Sequence, residues 1–261
     1  MILITGANGQ LGTDIIKECI KRNLDYLPTD VAEMDITSLQ SVEAIFKAHE
    51  ISSVLHLAAY TAVDAAEDNA ELCYKINTLG TQNLVKIAQK YDAKFLYIST
   101  DYSFDGSKEG SYEVDDRCNP ISVYGKSKYE GEQAVINSLK KYFVVRISWV
   151  FSPQAKNFLK TMLAIGKNRE SINVVADQYG SPTYTPDAVE VMLDMIQSEK
   201  YGIYHLTNEN DCSWAEFASE IYKCAGYTTK VNYITTQEYP TKATRPMNSR
   251  LSKRSLDEAG F

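Results

Sequence analysis

The chain is poor in the residue types from which metal and disulfide sites are built. Its three histidines, His49, His56 and His205, lie far apart at no metal-ligand spacing, and no resident metal is expected. His56 sits in an apolar run and reads as a packed strand residue. The five cysteines (Cys19, Cys73, Cys118, Cys212 and Cys224) are odd in number and form no C-x-x-C pair. That suits a reducing compartment better than a disulfide framework. No uninterrupted apolar run approaches the roughly 20 residues of a membrane span. No basic leader or cleavage site precedes the first strand, so the expected location is the cytoplasm. Basic residues are outnumbered, with 27 Lys and Arg against 34 Asp and Glu and a net charge of −7. This argues against nucleic acid or acidic membranes as partners, yet leaves room for a local basic pocket. Repeats, low-complexity tracts and flexible linkers are also missing.

What is present is an ordinary composition, 44% hydrophobic and 23% charged, over 261 residues. That length fits one α/β domain with a smaller lobe. Ile2-Leu3-Ile4 is a short apolar run of the kind buried on both faces of a parallel sheet. It enters Gly6-Ala7-Asn8-Gly9-Gln10-Leu11-Gly12, and Leu11, Ile15, Ile16, Cys19 and Ile20 then fall on one helix face. Glycines there permit a tight turn and close approach of backbone to a pyrophosphate, while the helix N-terminus offers N–H groups and partial positive charge. A second strand, Tyr26 to Thr29, ends at Asp30, placed to bind an adenosine ribose hydroxyl. No Lys or Arg lies between Arg22 and Lys47, which favours NADH over NADPH. Asp35 and Ile36 can border the adenine, with Thr37 or Ser38 capping a helix from Ser38 to Glu50.

A third strand, Ser53 to Leu57, closes on the small residues Ala58-Ala59, which leave room for a flat ligand at a switch-point crevice. Tyr60 to Val63 reads as a loop, followed by one long helix from about Glu67 to Lys90. Asn77 falls in mid-helix, where a surface position is the plain expectation. The fourth strand, Lys94 to Ser99, brings Thr100 to a carboxyl end, where parallel sheets place their chemistry. A Gly/Asp/Ser-rich loop leads to Tyr124-Gly125-Lys126-Ser127-Lys128. Of eighteen tyrosines, Tyr124 alone has a lysine four residues later. On a helix that spacing puts both on one face, about 5–6 Å apart at Cβ. The lysine is expected to lower the phenol's pKa, so that Tyr124 can give a proton to a carbonyl oxygen while hydride reaches carbon.

Alternating strands and helices predict a doubly wound, Rossmann-type parallel sheet over residues 1–147, with 184–203 packing back onto it. Residues 148–183 and 204–261 form the expected substrate lobe. It would include short helices at Phe158 to Leu163 and Trp214 to Ala225, a loop at Asp177 to Thr183, and a strand at Tyr201 to Leu206.

Thr5 to Gly12, Asp30, Thr100 and Tyr124-x-x-x-Lys128, in this order, resemble the extended short-chain dehydrogenase/reductase family. Six further stretches resemble its dTDP-4-dehydrorhamnose reductase branch: Ala58 to Asp64, Ser99 to Gly106, Ser148 to Phe151, Asn157-Phe158, Asp177 to Thr183 and Thr244 to Pro246. The resemblance implies NADPH or NADH as cofactor and a dTDP-linked 4-keto sugar as substrate. It implies Tyr124 as proton donor, Lys128 as its modulator and ribose ligand, and Thr100 as the group orienting the ketone. Gly6, Asn8 to Gly12, Asp30, Asp35, Ile36 and Leu57 to Thr61 would hold the cofactor. Val63, Asp101, Tyr102 and Trp149 would line the sugar pocket, and Asn77 would stand near the catalytic groups. Arg245 beside Pro246 is expected to meet the substrate diphosphate.

Ser103 departs from the family's usual valine. The region around Tyr184-Thr185-Pro186 lacks the acid through which some members bind magnesium. Members usually continue with one more helix beyond the position of Phe261. Tyr102 stands where dehydratases carry glutamate, so water elimination is discounted. Other readings are a nucleotide-sugar 4-ketoreductase of different substrate, an epimerase, or a non-catalytic subunit like the methionine adenosyltransferase beta subunit. A homodimer is compatible with all of them.

Overall fold

A computed structural model describes residues 1–261. The chain begins β1 (Ile2–Thr5), α1 (Gln10–Lys21), β2 (Tyr26–Thr29), α2 (Leu39–Ala48) and β3 (Ser53–His56). It continues with α3 (Val63–Asp68), α4 (Ala70–Tyr74), a π-helical turn at Lys75–Gly80, α5 (Thr81–Lys90) and β4 (Lys94–Thr100). Helix α6 (Val123–Ser138) and β5 (Tyr142–Ile147) follow. Ser38 caps α2 by accepting the Ser41 N–H, as its residue type favours.

Sequence expectation and structure part company at residues 60–90. The single long helix is broken into three α segments, the first beginning at Val63, with a wide π turn between the last two. A Cβ on Gly80 would lie 2.7 Å from Ile36 Cδ1, so the end of the π turn sits tight against the segment after β2. The π turn also aims Asn77 inward, contrary to the surface position expected of it.

The second half contains β6 (Val150–Phe151), α7 (Phe158–Gly166), β7 (Ser171–Val175), β8 (Tyr179–Gly180), β9 (Thr183–Tyr184) and α8 (Thr185–Gln197). After these come β10 (Gly202–His205), β11 (Cys212–Ser213), α9 (Trp214–Ala225), β12 (Lys230–Ile234) and α10 (Arg254–Ala259). The expected loop at 177–183 thus carries two short strands. No helix is long and apolar enough to cross a membrane.

The main sheet has the order β10-β5-β4-β3-β1-β2, parallel throughout. Strand order reverses between β1 and β3, and a doubly wound sheet opens its ligand crevice at that switch point. Strand residues alternate between two cores. Ile2, Ile4, Leu55, Leu96 and Val145 face α1 and α8, while Leu3, Val54, Phe95, Tyr97 and Val144 face α2, α5 and α6. The returning segment is longer than 184–203. Strand β10 runs to His205 and pairs with β5, and Leu256, Ala259 and Phe261 at the chain's end pack on the same core. The small lobe is α7 and α9 over the parallel pair β7–β12.

Candidate active site

One cavity of about 990 Å³ opens at the carboxyl ends of β1, β3 and β4. The glycine loop bounds one end. Gly6 has φ of +67°, and a Cβ there would come within 2.8 Å of the Ala58 backbone. A Cβ on Gly12 would lie 2.4 Å from the Gly6 carbonyl. Both positions therefore require glycine. No side chain caps α1 at Gly9, so its first N–H groups lack a side-chain partner. A bare helix start beside a glycine cradle suits a dinucleotide pyrophosphate. Gly6, Gly9 to Gly12, Asp30, Asp35, Ile36, Leu57 to Ala59 and Thr61 all line this part of the wall.

Asn8 and Tyr60 do not reach the wall, and the structure gives both a framing part. The Asn8 N–H donates to Asp30 Oδ2 at 3.2 Å, which turns the carboxylate toward the loop. Tyr60 is held through its backbone by Asn77. Its N–H donates to Asn77 Oδ1 at 2.7 Å, and Asn77 Nδ2 donates to the Tyr60 carbonyl at 3.1 Å and to Ser127 Oγ at 3.0 Å. Asn77, 1% exposed, thereby ties the loop after β3 to the helix carrying Tyr124. Asp35 uses Oδ1 to accept the Thr37 N–H and hydroxyl, which fixes the turn before α2.

Tyr124 is the second residue of α6 because Ser122 caps the helix, its Oγ accepting the Gly125 N–H at 3.1 Å. Gly125 lets the helix approach the Tyr102 carbonyl, 2.4 Å from where a Cβ would stand. Tyr102 meets the Tyr124 ring edge-on at 5.7 Å. Thr100 closes β4 with its hydroxyl donating to Asp101 Oδ1 at 3.0 Å and accepting the Tyr102 N–H at 3.1 Å. Lys128, one helical turn beyond Tyr124, is 3% exposed, with Nζ 4.1 Å from the Tyr97 ring centroid. Thr100, Tyr124 and Lys128 all line the cavity.

The electrostatics differ from the simple expectation that Lys128 lowers the Tyr124 pKa. Burial pushes the phenol well above its ordinary value, and the neighbouring Thr100 hydroxyl opposes only part of that shift. Burial also drives Lys128 down to about 7, although Glu132 and Cys73 pull it upward. Each group is biased toward its neutral form because an enclosed site disfavours either charge. The result is a neutral phenol one helical turn from an amine whose pKa lies near neutrality.

The remaining predicted residues, Val63, Asp101, Tyr102, Trp149 and Arg245, line the far end. Burial raises Asp101 to about 6, and its Oδ2 has no partner. Arg245, expected to meet the substrate diphosphate, lies on this wall with protein partners of its own. Its guanidinium donates to Tyr102 Oη at 2.9 Å and to Asp64 Oδ2 at 2.6 Å, so its charge is already matched by a carboxylate. Val31, Lys75, Lys156 and Trp214 also stand on the wall and were missed. Trp214 had one available signal, as one of only two tryptophans in the chain.

A glycine-cradled crevice leading to a Thr-Tyr-Lys set is the site of an oxidoreductase of the extended short-chain dehydrogenase/reductase class. The family model for the RmlD substrate binding domain matches residues 1–261. The chain belongs to the dTDP-4-dehydrorhamnose reductase family. It is 40% identical to a protein of that name from Aggregatibacter actinomycetemcomitans, over 99% of this chain and 92% of the relative. A dTDP-4-dehydrorhamnose reductase structure from Clostridium acetobutylicum superposes with a TM-score of 0.97 at 42% identity, covering 99% of this chain and 92% of that one. A Bacillus anthracis structure of the same name, in complex with NADP, gives 0.97 at 41% identity, covering 100% and 92%.

Proposed function

We propose that the chain reduces the C4 ketone of dTDP-4-dehydrorhamnose to dTDP-L-rhamnose, with NADPH or NADH as reductant. The observation that carries this is the placement of Thr100, Tyr124 and Lys128 on the wall of the same cavity as the glycine cradle. When bound, the nicotinamide cofactor supplies the hydride. Tyr124 gives the proton to the ketone oxygen, and its raised pKa ensures that it arrives protonated. Thr100 orients that oxygen from the end of β4. The Lys128 ammonium holds the nicotinamide ribose and stabilises the tyrosinate left after transfer. The glycine cradle, Asp30 and Leu57 to Thr61 position the dinucleotide, while Val63, Asp101, Tyr102 and Trp149 contact the sugar.

Asp30 accepts two backbone N–H groups and has no basic neighbour in its turn, which favours a ribose hydroxyl over a phosphate. The Bacillus anthracis relative carries NADP, so both cofactors are expected to work. Five free cysteines accord with action in the reducing cytoplasm. The test is turnover: purified protein, each cofactor in turn, and enzymatically prepared dTDP-4-dehydrorhamnose. Loss of the reduced-nicotinamide absorbance with formation of dTDP-L-rhamnose is expected. Tight cofactor binding without turnover would overturn the reading.

A further inference from the structure

Both tryptophans of the chain stand on the cavity wall. Trp149 follows β5 of the main sheet, and Trp214 opens α9 of the small lobe. Their rings stack with centroids 3.6 Å apart and planes 10° from parallel. Trp149 has φ of +48°, a left-handed backbone that a bulky residue adopts only where its surroundings over-determine it. Those surroundings are present. The Thr183 N–H donates to the Trp149 carbonyl at 3.2 Å, and Thr183 Oγ1 donates to the Ser148 carbonyl at 2.6 Å. Gly180 packs so close to the indole that a Cβ there would lie 2.7 Å from Cε2. Trp214 is fixed in turn. Ser213 and Glu216 form a capping box around the start of α9, and the Phe158 ring lies 4.6 Å away.

We propose that Trp214 is a positioning residue for sugar recognition: by stacking on Trp149 it sets the indole that meets the substrate's hexose. The inference rests on the reading of the site given above. The stack joins the segment just after β5 of the sheet to the first residue of the lobe helix α9, so the sugar wall is complete only when the lobe is docked. A wall already locked in place loses little side-chain freedom on binding, and affinity gains accordingly. The competing view makes Trp214 a plain core residue of the lobe. That view predicts damage shared by every ligand, whereas ours predicts damage confined to the sugar.

The experiment titrates dTDP-L-rhamnose, dTDP and NADPH separately into the parent, Trp214→Leu and Trp214→Phe. Circular dichroism reads the exciton couplet of the stacked indoles in parallel. Trp214→Leu should lose the couplet and bind dTDP-L-rhamnose about tenfold more weakly, with dTDP and NADPH within about twofold of the parent. Trp214→Phe, which keeps a stacked ring, should recover most of the affinity. Unchanged sugar-nucleotide affinity in Trp214→Leu would overturn the proposal, and so would an equal loss for all three ligands. If Trp214→Leu does not fold, Trp214→Met is judged by the same criteria. A parent that binds dTDP-L-rhamnose but reduces no ketone would overturn the reading of the site and leave the stack standing.

Discussion

The sheet and the small lobe hold their shapes by different means. The sheet is covered on both faces by clusters of 21 and 17 buried apolar residues, whereas the lobe has a single cluster of seven. A core that small stabilises the lobe weakly, so its position depends on contacts that cross to the sheet. Asn157 Nδ2 donates to Gln10 Oε1 at 3.0 Å, Trp214 stacks on Trp149, and Arg245 pairs with Asp64. The proton transfer proposed for Tyr124 falls in the half with the larger core, and the proposed sugar contacts are shared with the half that is held from outside.

The comparison is tested most severely at Tyr124. Tyr124→Phe should reduce kcat by about 10²–10⁴-fold while NADPH affinity, measured by titration, stays near the parent's. Activity within a few-fold of the parent would remove the phenol from the chemistry. Next is the buried pair beneath it. Glu132 accepts from Arg146 Nη2 at 2.6 Å and Nε at 3.1 Å, and from Ser99 Oγ at 2.6 Å, joining α6 to β4 and β5. Glu132→Ala leaves a buried guanidinium unpaired and should cost about 3–5 kcal/mol in urea unfolding. A cost below about 1 kcal/mol would mean that the sheet half is less rigid than its packing implies.

A smaller effect is expected from pH. Lys128 bears its charge below its pKa, which burial has lowered to about 7. The ammonium fraction therefore falls as pH rises through that value, and kcat/KM, which reports the free enzyme, should fall with it. A flat profile over about pH 6 to 9 would separate the Lys128 charge from the reaction. Smallest is Arg245→Ala. The Asp64 carboxylate is 44% exposed, so losing the pair should change stability by less than about 1 kcal/mol. KM for the sugar nucleotide should still rise, because Tyr102 loses its guanidinium partner. An unchanged KM would dismiss Arg245 from substrate binding, diphosphate included.

What could be read from the sequence was what chain-local spacing controls. Gly6 and Gly9 sit between a strand and a helix start, Gly12 lies in that helix's first turn, and Tyr124 and Lys128 are one helical turn apart, so their placement needed no tertiary information. The parallel, doubly wound sheet and the carboxyl-end position of Thr100 followed from alternation. Other features depended on partners remote in the chain. Asp64, which neutralises Arg245, lies 181 residues from it. The inward turn of Asn77 needs Tyr60 and Ser127 as hydrogen-bond partners, and the electrostatic balance at Tyr124 depends on burial that no spacing reveals. Trp214 reads in the sequence only as the first residue of a short helix, since only the fold brings Trp149 beside it.

The π turn at Lys75–Gly80 has a consequence for chain length. A π turn carries about one residue more than an α turn. A variant lacking one residue there could run as regular helix through the same stretch, with Leu84, Val85 and Ala88 still directed at the core. Such an indel would be silent to the fold. It would be felt at the catalytic cavity, where Asn77 would lose the bulge that carries its amide to Tyr60.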